Sequence, residues 1–291
     1  LKWQNGLLSE QGHFYESDAA GRSVEKLVSI LVASHNAQDF IAKTITSCLE
    51  QSYRNIELLV LDNNSRDRTV DVINSFKDPR LHLFSSGHMF GPYEGLNFLI
   101  QHAAGDYIAI QDHDDVWYRS KIQLQVKFLD DNPDFIACGT NTYFFYGGKN
   151  VLILIENPFI THIVNHTSLV FRKNGFLYNT DYLLADEHFM KKVLSPSGKI
   201  ACLQEPLCVH RIRADAGNLS SYRFSLSAKN VKDFLTINGL TAQSAAYLFY
   251  LLTRGMLPEP LLWYIRKRFT LRNKDWISRS DFEMKYPDVV L

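Results

Sequence analysis

Between Lys26 and Asp130 the chain alternates short apolar runs with amphipathic stretches, and three of the four apolar runs stop abruptly on polar clusters. Lys26–Ala33, Ile56–Leu61, Leu81–Phe84 and Tyr107–Ile110 are four to eight residues long and rich in β-favouring side chains, as buried strands are. Between them, 39–51, 66–76, 93–104 and 117–130 read as helices. Asp39 is the expected cap of the first, with Ile41, Ile45, Cys48 and Leu49 on one inward face. Strand and helix alternating through short links predict an α/β fold: a mostly parallel central sheet flanked by helices on both faces. In such sheets ligands bind beyond the carboxyl ends of the strands.

The three polar clusters are Ser34-His35-Asn36, Asp62-Asn63-Asn64-Ser65 and Asp112-His113-Asp114-Asp115, and this topology brings them to one edge as a single cleft. The last packs three carboxylates into four positions, a donor set suited to hard divalent cations that bridge phosphates. An Asp-x-Asp pair is weakly specific in a chain with 31 acidic residues; its place at the mouth of an apolar strand gives it weight. No G-x-G-x-x-G follows the first strand and no G-x-x-x-x-G-K-[ST] occurs, which argues against a dinucleotide dehydrogenase and a P-loop nucleotidase. Lysine plus arginine equals aspartate plus glutamate at 31 each, so nucleic acid is not the expected partner.

Residues 1–25 read as a polar lead-in; the chain starts without methionine and without an apolar signal core, as a trimmed chain would. From Phe135 the pattern turns strand-rich: 135–140, 142–146 and 151–155 around Gly147-Gly148, then 165–172, 199–203 and 207–212. A helix is expected from about Leu183 to Pro196, and helices from Ser220 to about Leu271. Cys48, Cys138, Cys202 and Cys208 show no paired spacing and read as buried thiols in a reducing compartment. No apolar run reaches the roughly 18 residues of a membrane span. The stretch 240–270 joins aromatics to a basic cluster. It suits either peripheral contact with an anionic membrane surface or packing on the catalytic domain or on a second subunit of a homo-oligomer.

Several ordered motifs over residues 26–220 resemble those of family 2 glycosyltransferases, which have the GT-A fold. They are Val28–Asn36, Ser47-Cys48-Leu49-Glu50-Gln51-Ser52-Tyr53, Glu57–Ser65 with Asp67-Arg68-Thr69, and Gly105–Ile108 with Asp112-x-Asp114-Asp115 and Trp117. The resemblance implies an inverting transfer of a hexosyl or deoxyhexosyl group from a nucleotide-sugar donor to a glycan or lipid-linked saccharide. The donor-binding half would be 26–130, the acceptor-binding half 131–220, and 221–291 a helical appendage. The resemblance implies a cytoplasmic enzyme, or one peripheral at the cytoplasmic membrane face.

By the same resemblance Asp62 accepts from the base of a UDP- or dTDP-sugar, and Ala33, Ser34 and His35 line the base pocket. Asp114 is the direct ligand of Mn²⁺ or Mg²⁺, and Asp112 assists through the metal or the donor ribose. Asp115 either joins them or caps the next helix. The general base comes from Asp186-Glu187, whose order is the reverse of the family's Glu-Asp pair, so Glu187 stands in the usual catalytic place. In His210-Arg211-Ile212-Arg213, followed by Ser220, Arg211 and Arg213 face the diphosphate, Arg213 replacing the family's histidine. His166, in Asn165–Ser168, belongs to the acceptor-side strand and reads as structural. A degenerate nucleotide- or glycan-binding module is the alternative to an enzyme.

Overall fold

A computed structural model describes residues 25–213, 227–254, 276–289 and 291, with Leu261 and Tyr264 between. The lead-in 1–24, Ser220 and most of the basic–aromatic stretch 261–269 lie outside the described residues.

Strands β1 (Val28–Ser34), β2 (Ile56–Asp62), β3 (Leu81–Ser85) and β4 (Tyr107–Ile110) form the expected parallel block, ordered β3-β2-β1-β4. Side chains alternate across β1. Ile30 and Val32 pack under helices α1 (Ile41–Leu49) and α4 (Lys121–Asp131), while Leu31 packs under α3 (Pro92–His102) on the opposite face. Helix α2 (Thr69–Ser75) adds Ile73 to the first of these cores. A strand buried on both faces needs a continuous apolar run, which is why this block was legible.

Beyond β4 the sheet turns antiparallel. Strand β9 (Val170–Arg172) pairs antiparallel with both β4 and β6 (Phe135–Tyr146), and β7 (Val151–Ile155) pairs antiparallel with β6. Strand β10 (Lys199–Ile212) runs parallel to β6 and also pairs with the two-residue strands β5 (Val116–Trp117) and β8 (Ile160–Thr161). A last strand, β11 (Trp276–Ser278), pairs with β7 and leads into α8 (Arg279–Lys285), whose Phe282 is buried among Val116, Tyr143, Phe145 and Val209.

Several local expectations are corrected. Asp39 does not cap α1: Phe40 holds the cap position and no side chain caps it. Helix α2 starts at Thr69 rather than Arg66, because Asp67 accepts from the Thr69 N–H and hydroxyl and folds 65–68 into a turn. Trp117 is not helical; it pairs with Cys208, and α4 starts four residues later. Asn165–Ser168 is not extended but includes a 3₁₀ turn, His166–Ser168, ahead of β9. The pairs 135–140/142–146 and 199–203/207–212 are each one strand, the second irregular in register between Leu203 and Cys208.

After α5 (Ala185–His188) the chain widens into a π-helical stretch, Phe189–Leu194, that buries Phe189 and Met190. Helices α6 (Ala228–Asn238) and α7 (Ala242–Arg254) join through Gly239, whose φ of +70° lies in the left-handed region that glycine tolerates. Among the described residues no helix is long and apolar enough to cross a membrane.

Candidate active site

The registers align the strand ends. Ser34 sits opposite Asp62, and Leu31 opposite Ile110, so the turns after β1, β2 and β4 share one edge of the sheet. Asn36 and Asn64 turn the chain there with φ of +48° and +58°. The two turns are stitched together by Asn36 N–H to Ser65 Oγ and Arg66 N–H to Asn36 Oδ1, each 2.9 Å.

In this first corner Asp62 is buried, and its Oδ2 accepts from the Ser65 N–H at 3.3 Å while its buried Oδ1 has no partner. An unpaired buried acceptor is costly unless a ligand supplies the donor. Ser34 Oγ donates to the Leu61 carbonyl at 3.2 Å, and His35 Nδ1 lies 2.9 Å from the Asn63 carbonyl. The Ala33 carbonyl faces His113 Nδ1 at 3.4 Å.

The loop after β4 is fixed by side chains whose role no sequence pattern announced. Gln111 Nε2 donates to the Asp115 carbonyl at 2.9 Å, and the Thr167 hydroxyl donates to Gln111 Oε1 at 2.6 Å. Thr44 Oγ1 lies 2.9 Å from the carbonyls of both His113 and Asp115, and Trp117 Nε1 donates to the Thr167 carbonyl at 2.9 Å. So held, Asp112 and Asp115 meet His210 of β10, and one ligand atom from each lies within 4.8 Å of the others.

Asp115 does not cap α4. Its Oδ2 takes His210 Nδ1 at 2.8 Å and its Oδ1 the Arg211 N–H at 2.7 Å. Burial works against a charged imidazole at His210, yet Asp115, with Asp112 and Asp114 behind it, pushes its pKa up to about 9. Burial and the Asp115 charge push Asp114 up to about 6. Asp114 stands outside the three-residue group, although its backbone carbonyl accepts from Arg211 Nε at 3.2 Å. The Arg211 guanidinium also lies 5.1 Å from the rings of Phe40 and Phe145, and that of Arg213 lies 5.1 Å from Phe40.

His166 stands 3.6 Å from Asp112 Oδ1 through Nδ1, and its Nε2 is 2.9 Å from the Tyr178 hydroxyl. Burial opposes charge on both, but each partner favours the ionised form of the other: Asp112 is held below the usual carboxylate range and His166 above the usual imidazole value. The His166–Ser168 turn is thereby joined to the acidic edge. The only sequence signal for His166 and His210 was their lying within motifs; neither neighbour in space is near in the chain.

Two carboxylates and an imidazole form a donor set compatible with Mn²⁺, and with Mg²⁺ through the carboxylates. Asp186 and Glu187 open α5, where Glu187 is buried.

Two Escherichia coli proteins, each named UDP-Glc:alpha-D-GlcNAc-diphosphoundecaprenol beta-1,3-glucosyltransferase, are similar to the chain. WfaP is 38% identical over 112 residues, 38% of this chain and 45% of the relative; WfgD is 33% identical over 147 residues, 50% and 54%. The chain thus spans about half the length of these curated relatives. Among solved structures, S. aureus TarS 1-349 in complex with UDP-GlcNAc matches with a TM-score of 0.60 at 16% identity, over 84% of this chain and 74% of that one. Mannosyltransferase PcManGT from Pyrobaculum calidifontis, in complex with GDP-Man and Mn²⁺, matches with a TM-score of 0.59 at 18% identity, over 85% and 77%. At these identities the likeness shows the fold, which is GT-A. The model of glycosyl transferase family 2 matches residues 29–181, more than half of the 291 residues, and the chain belongs to that family.

Proposed function

We propose that the chain is an inverting glycosyltransferase that moves a sugar from a UDP- or dTDP-sugar to a hydroxyl of a lipid-linked saccharide. The observation that carries this reading is the convergence at one sheet edge of an orphan buried acceptor, Asp62 Oδ1, with the Asp112–Asp115–His210 cluster. The imide N–H of uracil or thymine supplies the donor that Asp62 lacks. Ala33, Ser34 and His35 wall the same corner. Asp112, Asp115 and His210, with Asp114 alongside, would hold Mn²⁺ or Mg²⁺. Bound there, the cation supplies Lewis-acid stabilisation of the departing diphosphate. Arg211 and Arg213 bring positive charge to the same edge, and one carboxylate of α5 takes the acceptor proton. The names of the Escherichia coli relatives support a UDP-sugar and a diphosphate-linked prenyl acceptor.

The test is release of nucleoside diphosphate from UDP-, dTDP- and GDP-sugars, with a saccharide-diphosphoprenyl acceptor and with or without Mn²⁺. Turnover of a pyrimidine donor that depends on Mn²⁺ is expected. Asp62→Ala should weaken that donor about ten- to a hundredfold, the value of one buried hydrogen bond of about 1–3 kcal/mol. A donor that binds tightly yet is never consumed would instead identify a binding module.

A further inference from the structure

The two carboxylates that open α5 leave the helix toward different surroundings. Glu187 is 6% exposed. Its Oε1 accepts from the Tyr247 hydroxyl of α7 at 2.9 Å, and its Oε2 from Lys191 Nζ at 3.3 Å. Lys191 is itself tied to Asn238 Oδ1 at 2.6 Å, at the end of α6. Both oxygens of Glu187 are thus engaged by donors from the π-helical stretch and from the α6–α7 pair.

Asp186 faces the other way. Its charge acts on Tyr93 of α3, on Tyr178 and on His166, the residue beside Asp112. Tyr93 and Tyr178 stack with ring centroids 5.4 Å apart. A general base needs a lone pair directed at the substrate and within one hydrogen bond of the proton it removes. Glu187 is buried with its two oxygens turned to Tyr247 and Lys191, whereas Asp186 stands near His166 and the acidic edge.

We infer that Asp186 is the base, and that α6 and α7, through Asn238, Lys191 and Tyr247, are the positioning device that holds Glu187 out of the cleft and fixes α5. This assignment rests on the transferase reading above. In the step, Asp186 takes the acceptor hydroxyl proton as that oxygen bonds to the anomeric carbon. The bond from that carbon to the diphosphate oxygen breaks, and the leaving nucleoside diphosphate keeps its electron pair. The inverted order of the pair follows: the carboxylate one position earlier in α5 takes the base's place, and the later one has become a structural anchor for the helices that follow.

Asp186→Asn, Glu187→Gln and Tyr247→Phe separate the roles, assayed on the whole chain for diphosphate release with acceptor, for donor affinity by calorimetry and for melting temperature. Asp186→Asn is expected to lower kcat by about 10²- to 10⁴-fold, the usual contribution of a general base, and to leave donor affinity and melting unchanged. Glu187→Gln should keep kcat within about threefold, since the amide oxygen still accepts from Tyr247. Tyr247→Phe should lower kcat about three- to tenfold, and that loss should vanish in the Glu187→Gln background, a non-additivity expected only if Tyr247 acts through the Glu187 charge. Loss of kcat in Glu187→Gln, alone or together with Asp186→Asn, at intact donor affinity would overturn the assignment and leave the transferase standing. A wild-type chain that consumes no donor would sink both.

Discussion

Lys121 offers a quantitative test of the forces at the base of the site. It is the first residue of α4 and fully buried; its Nζ has no hydrogen-bond partner and lies 3.7 Å from the centroid of the Trp117 ring. Burial lowers its pKa from 10.5 to about 8, against the opposing influence of the nearby Cys208, Cys138 and Cys48. A displacement of that size corresponds to about 3 kcal/mol of penalty on the charged form. Between about pH 8 and 10.5 the unfolded chain binds more protons at this position than the folded one, so the lysine's contribution to stability rises with pH. Below pH 8 both states are protonated and the full penalty stands. Lys121→Met removes the charge and keeps a polarisable chain over the indole, a contact worth about 0.3–1.5 kcal/mol. The loss of the cation–π attraction, up to about 2 kcal/mol when desolvated, works the other way. The absolute gain at neutral pH is therefore about 1–3 kcal/mol. The sharper quantity is its pH dependence: urea unfolding of both proteins from about pH 7.5 to 9.5 should show the advantage of Lys121→Met shrinking by about 2 kcal/mol. The comparison cancels the titrating groups that do not interact with Lys121, and the three cysteines that do stay protonated in the folded protein across this window. A difference flat across that window would mean that the indole face holds the ammonium charged in the folded protein, and would refute the desolvation argument.

Gly105→Ala should be strongly destabilising, by more than about 2 kcal/mol in thermal or urea unfolding, because overpacking is costly when backbone must yield. A Cβ there would lie 2.7 Å from both the Leu27 carbonyl oxygen and the Ser29 nitrogen. The four cysteines should resist alkylation at pH 8 in the native protein and react once unfolded, read by mass spectrometry. All are buried, and burial pushes the thiols of Cys48, Cys138 and Cys202 up to about 12 and that of Cys208 well above the usual value.

What was legible in the sequence was what a local pattern can encode. The parallel block was, since strands buried on two faces must be continuously apolar, and three polar strand ends could then be brought to one edge by topology alone. Trp117 was misread because its strand partner Cys208 lies 91 positions on, and its indole N–H is satisfied by Thr167, 50 positions on. Asn141 looked like a break in β6; within the strand it donates to the Gln204 carbonyl and accepts from the Asn157 N–H, so its buried amide is paired there. The sequence left Asp115 open between the acidic cluster and a helix cap until β10 supplied His210 and the Arg211 N–H. The pairing of Glu187 with Tyr247 was out of reach for the same reason: no periodicity reports a contact across 60 residues.

The long tie between the acidic loop and β10 also sets an order of events during synthesis. The contacts of Asp115 with His210 and the Arg211 N–H span 95 and 96 residues. At about 5–20 residues per second, a nascent chain carries its aspartates for roughly 5–20 seconds before those partners exist. The parallel block can condense in that interval, since its pairings are nearer in sequence and close earlier. The Asp112–Asp115–His210 cluster comes together only when the second half arrives, so the geometry proposed to hold a cation is acquired late, as a product of completed folding.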